Sequence, residues 1–235
     1  MINTNPLQLD DNKNFVNSNH LIDNGSLFGD IVGYTDIKQI FKMSLESDKP
    51  VHILLVGPPA SAKTLFMLEC IKLERSFFTL GSHSTKAGMI DYLFENRPRY
   101  LLIDEIEYMP YKDQSVLLSL METGILTETK SQKTRKTLLK TWVFATCNNK
   151  DKLLTPILSR FMIFHLKPYK RSKFIEISNC ILVKNGTSFE MANIISELVW
   201  DKLRSKDIRD TVKIAKLAKT KDDVIMIANA LSQYR

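Results

Sequence analysis

The sequence predicts an α/β fold, a parallel five-stranded sheet layered between helices, followed by a smaller all-helical domain. Three observations predict it. Short runs that are apolar throughout, "VHILLV" (51–56) and "RYLLID" (99–104) among them, alternate with segments of helical spacing, the pattern of a parallel sheet covered on both faces. The first run leads into "GPPASAKT" (57–64), the outline of a phosphate-binding loop between a strand and a helix. Beyond Pro168 the apolar strand runs stop and four helical segments follow.

Taken in order, residues 1–26 are rich in Asn, Asp and Ser without a period of 2 or 3.6, and a flexible tail or a strap over the core is expected there. "VHILLV" is a buried strand and "AKTLFMLECIKLE" (62–74) has helical spacing. "SFFTL" (76–80) is a second strand, "KAGMIDYLFE" (86–95) a helix, "RYLLID" a third strand and "KDQSVLLSLMET" (112–123) another helix. The segment that follows has two extended arms rich in Thr, Ile and Leu about a polar "KSQKTRK" tip, which predicts a β-hairpin over 124–141. "TWVFATC" (141–147) and "FMIFHL" (161–166) complete the five strands of the sheet. Helices are then expected in "KRSKFIEISNCILV" (170–183), "TSFEMANIISELVWDKL" (187–203), "DIRDTVKIAKLA" (207–218) and "KDDVIMIANALSQ" (221–233). Thr187 with Glu190 is a candidate capping box, and Asp207 and Thr220 are candidate N-caps. The expected division is a tail (1–26), an α/β domain (27–168) and a helical domain (169–235).

Composition narrows the class. A chain of 235 residues with 44% apolar and 25% charged residues can bury a sizeable core. No apolar run approaches ~18 residues, which argues against a membrane span. The first residues lack the layout of a signal peptide, so a cytoplasmic protein is expected. Cys70, Cys147 and Cys180 have neither zinc spacing nor a disulfide framework. The net charge is +7; residues 1–27 hold Asp10, Asp11 and Asp23 against Lys13, a balance of −2, so residues 28–235 carry +9. That excess suits a polyanion, though a solvated lysine surface would give it too.

The loop carries the chemistry. Successive backbone N–H groups and a helix N-terminus face an anion, a lysine (Lys63) adds charge, and the hydroxyl after it (Thr64) binds Mg²⁺. Ala62 stands where such loops carry glycine before the lysine, and Ala60 at another position that often does. If the backbone there needs positive φ, alanine costs about 1–2 kcal/mol; if not, almost nothing. Downstream, "RYLLIDEIE" (99–107) delivers Asp104 and Glu105 at the C-terminal end of a strand, where open α/β sheets bind ligands. One carboxylate suits a metal and its waters, the other an attacking water.

With these elements in order, the chain resembles an AAA+ ATPase, a P-loop NTPase core with a helical lid. "LFGDIVGYTDIKQIF" (27–41) resembles the segment ahead of the loop, which implies that Ile31 and Val32, with Gly33, line the adenine. Gly57, Pro58, Pro59, Ala60, Ser61, Ala62, Lys63, Thr64 and Leu65 would hold ATP, with Mg²⁺ on Thr64 and Asp104 and Glu105 as the catalytic base. "VFATCNN" (143–149) resembles the strand ending in a polar sensor, Asn148; "LLTPILSRF" (153–161) the segment with the arginine finger, Arg160; and "KDIRDTVKIAKLA" (206–218) the second sensor, Arg209. Read without the resemblance, Arg160 is a surface arginine and Arg209 a partner for Asp207 or Asp210. Minichromosome-maintenance and MoxR-type members also carry Ala before the lysine.

The hairpin is similar to one in RuvB-type motors and minichromosome-maintenance helicases, and small archaeal RuvB-like ATPases are the nearest likeness. RuvB has in addition a winged-helix domain that this sequence does not show. The resemblance implies a ring or helical oligomer, a hexamer by analogy, in which each finger serves a neighbour. It also implies DNA as substrate and a protein loader or adaptor as a further partner. Lys130, Lys133, Arg135 and Lys136 would contact nucleic acid. A solvated hairpin whose lysines protect its edges, and a hairpin serving a protein partner, are the alternatives. For the whole chain they are a MoxR-like protein remodeller and a nucleotide-gated scaffold with little turnover.

Overall fold

The computed structural model describes residues 27–29, 31–130 and 133–234. The tail expected over 1–26 lies outside them, as do Ser131 and Gln132 at the hairpin tip; Lys130 and Lys133 are described by their backbone only. The strands are β1 (His52–Val56), β2 (Ser76–Leu80), β3 (Tyr100–Asp104), β4 (Ile125–Lys130), β5 (Lys133–Leu138), β6 (Trp142–Cys147) and β7 (Phe161–His165). The helices are α1 (Thr35–Glu46), α2 (Lys63–Ile71), α3 (Lys86–Asn96), α4 (Tyr111–Thr123), α5 (Thr155–Leu158), α6 (Arg171–Lys184), α7 (Phe189–Asp201), α8 (Ile208–Leu217) and α9 (Lys221–Tyr234).

Five strands make a parallel sheet in the order β2-β3-β6-β1-β7, and β4 and β5 pair antiparallel as the expected hairpin. The three central strands are buried at every position, which is why they read as continuous apolar runs. Their side chains alternate between two cores. Leu54, Leu101, Ile103 and Val143 face one cluster with Leu93 and Leu117, while Ile53, Leu55, Leu102 and Phe144 face another with Phe41, Phe66 and Met67. Each such side chain contributes about 1.5–3 kcal/mol by leaving water. A third cluster, built on Phe174, Leu182, Ile195, Val199 and Ile214, packs the helices that follow the sheet.

Several local expectations change. Helix α1, in the segment ahead of the loop, is an element beyond those expected, and it buries Ile37, Phe41 and Ser44 along one face. Helix α2 ends at Ile71, because Lys72 and Leu73 donate to Glu69 and Cys70 in a tightened turn and Arg75 takes φ 58° to swing the chain into β2. The cap of α7 is Ser188, whose hydroxyl accepts from Met191 N, one residue beyond the box expected at Thr187 and Glu190. Asp207 caps α8 as expected. Thr220 and Asp223 cap α9 reciprocally, each side chain accepting from the other's backbone N–H.

Candidate functional site

The parallel order brings the C-terminal ends of β1, β3 and β6 side by side, since β6 lies between the other two. The loop leaves β1 at Gly57, Asp104 ends β3, and Asn148 follows β6. At Gly57 the loop passes close beside the chain leaving β7: a Cβ there would stand 2.6 Å from the Leu166 carbonyl oxygen. The loop then takes positive φ at Ala60 (64°) and Ala62 (65°), so both alanines occupy the left-handed region that favours glycine.

Lys63, 7% exposed, turns its ammonium back over this loop. It donates to the carbonyl oxygens of Gly57 (2.7 Å) and Pro58 (2.8 Å), to Asn148 Oδ1 (3.0 Å) and, at 3.4 Å, to Ser61 Oγ. Burial pulls its pKa below the usual lysine value, and the charges of Glu107 and Asp104 oppose that pull. Asp104, 6% exposed, accepts from Thr64 Oγ1 through Oδ2 (3.0 Å) and from Thr146 Oγ1 through Oδ1. One carboxylate beside one hydroxyl fits Mg²⁺, which takes few protein ligands and fills its shell with phosphate oxygens and water. Thr64 and Asp104 are the residues that would hold it.

Glu105 has φ 54°, and its backbone N donates to Thr146 Oγ1 at 3.1 Å, leaving its side chain exposed at the mouth of the site. Gly81, just after β2, permits this placement, because a Cβ there would lie 2.2 Å from the Glu105 carbonyl oxygen. Two residues that sequence reasoning missed complete the cluster. Thr146 ties Asp104 to Glu105, and Glu107, 7% exposed, binds Asn148. A threonine within an apolar strand, and an acid three residues after Asp104, were the available signals. Burial also pushes the neighbouring Cys147 thiol up to about 12, so it stays protonated.

Other expected site residues sit elsewhere. Ile31 is buried in the core with Phe28, Phe41 and Phe66, whereas Val32 is half-buried. Tyr34, which the sequence pattern did not single out, reaches Ser61 O at 3.5 Å and lies 5.7 Å from the Tyr169 ring, linking the loop to the start of the helical region. Arg160 immediately precedes the edge strand β7, at the end of the sheet opposite the loop, and pairs with Glu122 at 2.8 Å. Arg209 is exposed and pairs with its own cap, Asp207, at 2.7 Å, as the residue pattern alone suggested. In the hairpin, Arg135 bonds Glu128 and Asp91 and lies 4.3 Å from the Phe94 ring, so it fastens the hairpin to α3.

Residues 53–169 match the ATPase family associated with various cellular activities (AAA). The chain contains an AAA ATPase domain. Among solved structures, Thermotoga maritima RuvB, described as a Holliday junction branch migration motor, superposes on it with a TM-score of 0.62 at 19% identity, covering 84% of this chain and 69% of that one. Two point variants of the same RuvB give TM-scores of 0.64, at 18% identity over 84% and 69% of the two chains and at 19% over 84% and 70%. At this identity the likeness speaks for the fold alone, the AAA domain and the helical region that follows it. A comparison with curated proteins finds no sequence match. Among the described residues, no helix is long and apolar enough to cross a membrane.

Proposed function

We propose that this protein is a Mg²⁺-dependent ATPase of the RuvB-like branch, working as an oligomer on DNA. One observation carries the ATPase reading: Thr64 and Thr146 converge on the buried Asp104 while Lys63 and Asn148 meet beside it. Lys63 would stabilise the β- and γ-phosphates, Thr64 and Asp104 would hold Mg²⁺, and Glu105 would take a proton from the attacking water. Tyr34 and Tyr169 would flank the base together with Val32. Arg160 stands a strand length, about 16 Å, from the loop end of the sheet, so it would serve the site of a neighbouring protomer. Arg209 would have to leave Asp207 to reach phosphate.

The excess of +9 over residues 28–235 and the lysines of the hairpin favour DNA as the partner. A second reading, ATP-driven protein remodelling, is favoured by the hairpin itself, where Arg135 is already bound to acids and Leu138 is 73% exposed. The deciding experiment measures ATPase rate and oligomeric mass with and without single- and double-stranded DNA. Stimulation by DNA with assembly supports the motor on DNA. An ATPase indifferent to both forms of DNA leaves the protein-remodelling reading, and tight ATP binding without turnover leaves a nucleotide-gated scaffold.

A further inference from the structure

Glu107 is a buried carboxylate that neither the loop nor the metal-binding pair uses. Its Oε1 accepts from the Asn148 backbone N at 2.7 Å and from Asn148 Nδ2 at 3.0 Å. Its Oε2 is buried without a hydrogen-bond partner among the described residues. On the other side, Asn148 Oδ1 accepts from Lys63 Nζ at 3.0 Å. A carboxylate has only acceptors and an ammonium only donors, so the carboxamide between them has a single satisfied orientation: NH₂ toward Glu107, carbonyl toward Lys63. A neutral amide at position 107 could both donate and accept, and would no longer force that choice.

We propose that Glu107 is a positioning residue that fixes the Asn148 carbonyl toward the phosphate site, so that Asn148 meets the attacking water as an acceptor. The inference rests on the ATPase reading. In this structure that carbonyl shares Lys63 with the loop carbonyls. When phosphate oxygens take over the ammonium, Oδ1 is released and can accept a hydrogen bond from water. Water attacking phosphorus has protons to give, so two acceptors, the Asn148 carbonyl and the Glu105 carboxylate, orient it with an oxygen lone pair toward phosphorus. An NH₂ group turned the other way would instead compete for that lone pair.

The test is Glu107→Gln, which keeps the shape and the acceptor for the Asn148 backbone. It should lower kcat about tenfold or more, the scale of a misplaced water-activating group, with KM for ATP unchanged. Adding Asn148→Asp to Glu107→Gln reverses the polarity of the pair, because the introduced amide donates and a carboxylate oxygen again faces the phosphates. That double variant should outperform Asn148→Asp alone, in which two acids face each other. A second readout needs no turnover. In nucleotide-free protein labelled with ¹⁵N, the Asn148 side-chain NH₂ signal, identified by its disappearance in Asn148→Asp, should lie downfield, exchange slowly and move in Glu107→Gln. Wild-type kcat in Glu107→Gln, no recovery in the double variant, or a solvent-like NH₂ signal indifferent to Glu107→Gln would each overturn the assignment. If the wild-type protein hydrolyses no ATP, the ATPase reading falls while the NH₂ signal still decides the orientation.

Discussion

Replacing Ala60 and Ala62 by glycine should stabilise this protein, the reverse of what glycine does almost anywhere else. Both residues sit at φ near +65°, where an L-residue with a Cβ costs about 1–2 kcal/mol. Glycine removes that cost but brings about 0.5–1 kcal/mol of extra chain entropy to the unfolded state. The net gain is roughly 0–1.5 kcal/mol per site, about 0.75 kcal/mol at the centre of both ranges, or about 1.5 kcal/mol for both. For a chain of this size, that central value raises Tm by roughly 3–6 °C. Ala230→Gly, in the exposed interior of α9, is the control and should cost about 1 kcal/mol. Thermal denaturation of the three proteins, read alongside ATP affinity, decides the matter. Because the loop is already curved for an anion, the strain is common to the free and bound states, and affinity should stay level while Tm rises. A double variant that melts no higher than wild type, or loses stability as Ala230→Gly does, refutes the argument from φ.

Other expectations follow from the same geometry. Arg160→Ala should bind ATP normally and hydrolyse it about 10³-fold more slowly, with partial recovery on mixing with Glu105→Gln protomers that still carry Arg160. Absence of recovery in mixed assemblies confirmed by mass would exclude action on a neighbour. Lys130, Lys133 and Lys136 replaced together by Ser should flatten the dependence of DNA affinity on salt by about 0.7–0.9 in log–log slope for each lysine–phosphate pair removed; an unchanged slope removes the hairpin as a DNA-binding element. Arg135 is left in place, since its replacement would unfasten the hairpin from Asp91. His52 gives a pH dependence. It is buried, accepts from Val143 N through Nδ1 (3.0 Å) and bonds Met121 O through Nε2 (3.1 Å), and burial holds its pKa below 6.5. The unfolded chain therefore binds the proton first, and stability should be full above pH 6.5 and fall below it, by up to about 1.4 kcal/mol per pH unit. Urea titrations of wild type and His52→Gln across that range should differ in slope; parallel curves would clear His52 of the effect.

The sheet was legible because its strands are short, mainly apolar runs separated by helical segments, and the loop because its lysine and hydroxyl are adjacent in sequence. What escaped depends on pairings between distant segments. Thr146 looks like a β-former until β6 is laid beside β3 and its hydroxyl reaches Asp104. Glu107 looks like a solvated acid until Asn148, 41 residues later, closes over it. Arg135 reads as a free cation because Asp91 lies 44 residues upstream, on α3. Whether Ala62 is strained is a question about φ, which no residue pattern answers. Arg209 is the opposite case: its neighbour Asp207 was visible in the sequence, and local pairing is what forms.

The central claim is that Lys63, Thr64, Asp104 and Glu105 form one Mg²⁺-ATP site with Glu105 as its base. Phosphate release from ATP in Mg²⁺, measured for wild type and Glu105→Gln with nucleotide occupancy followed in parallel, tests it most directly. The account predicts turnover by wild type, and in Glu105→Gln retained ATP with turnover abolished. Hydrolysis by Glu105→Gln at the wild-type rate would contradict it.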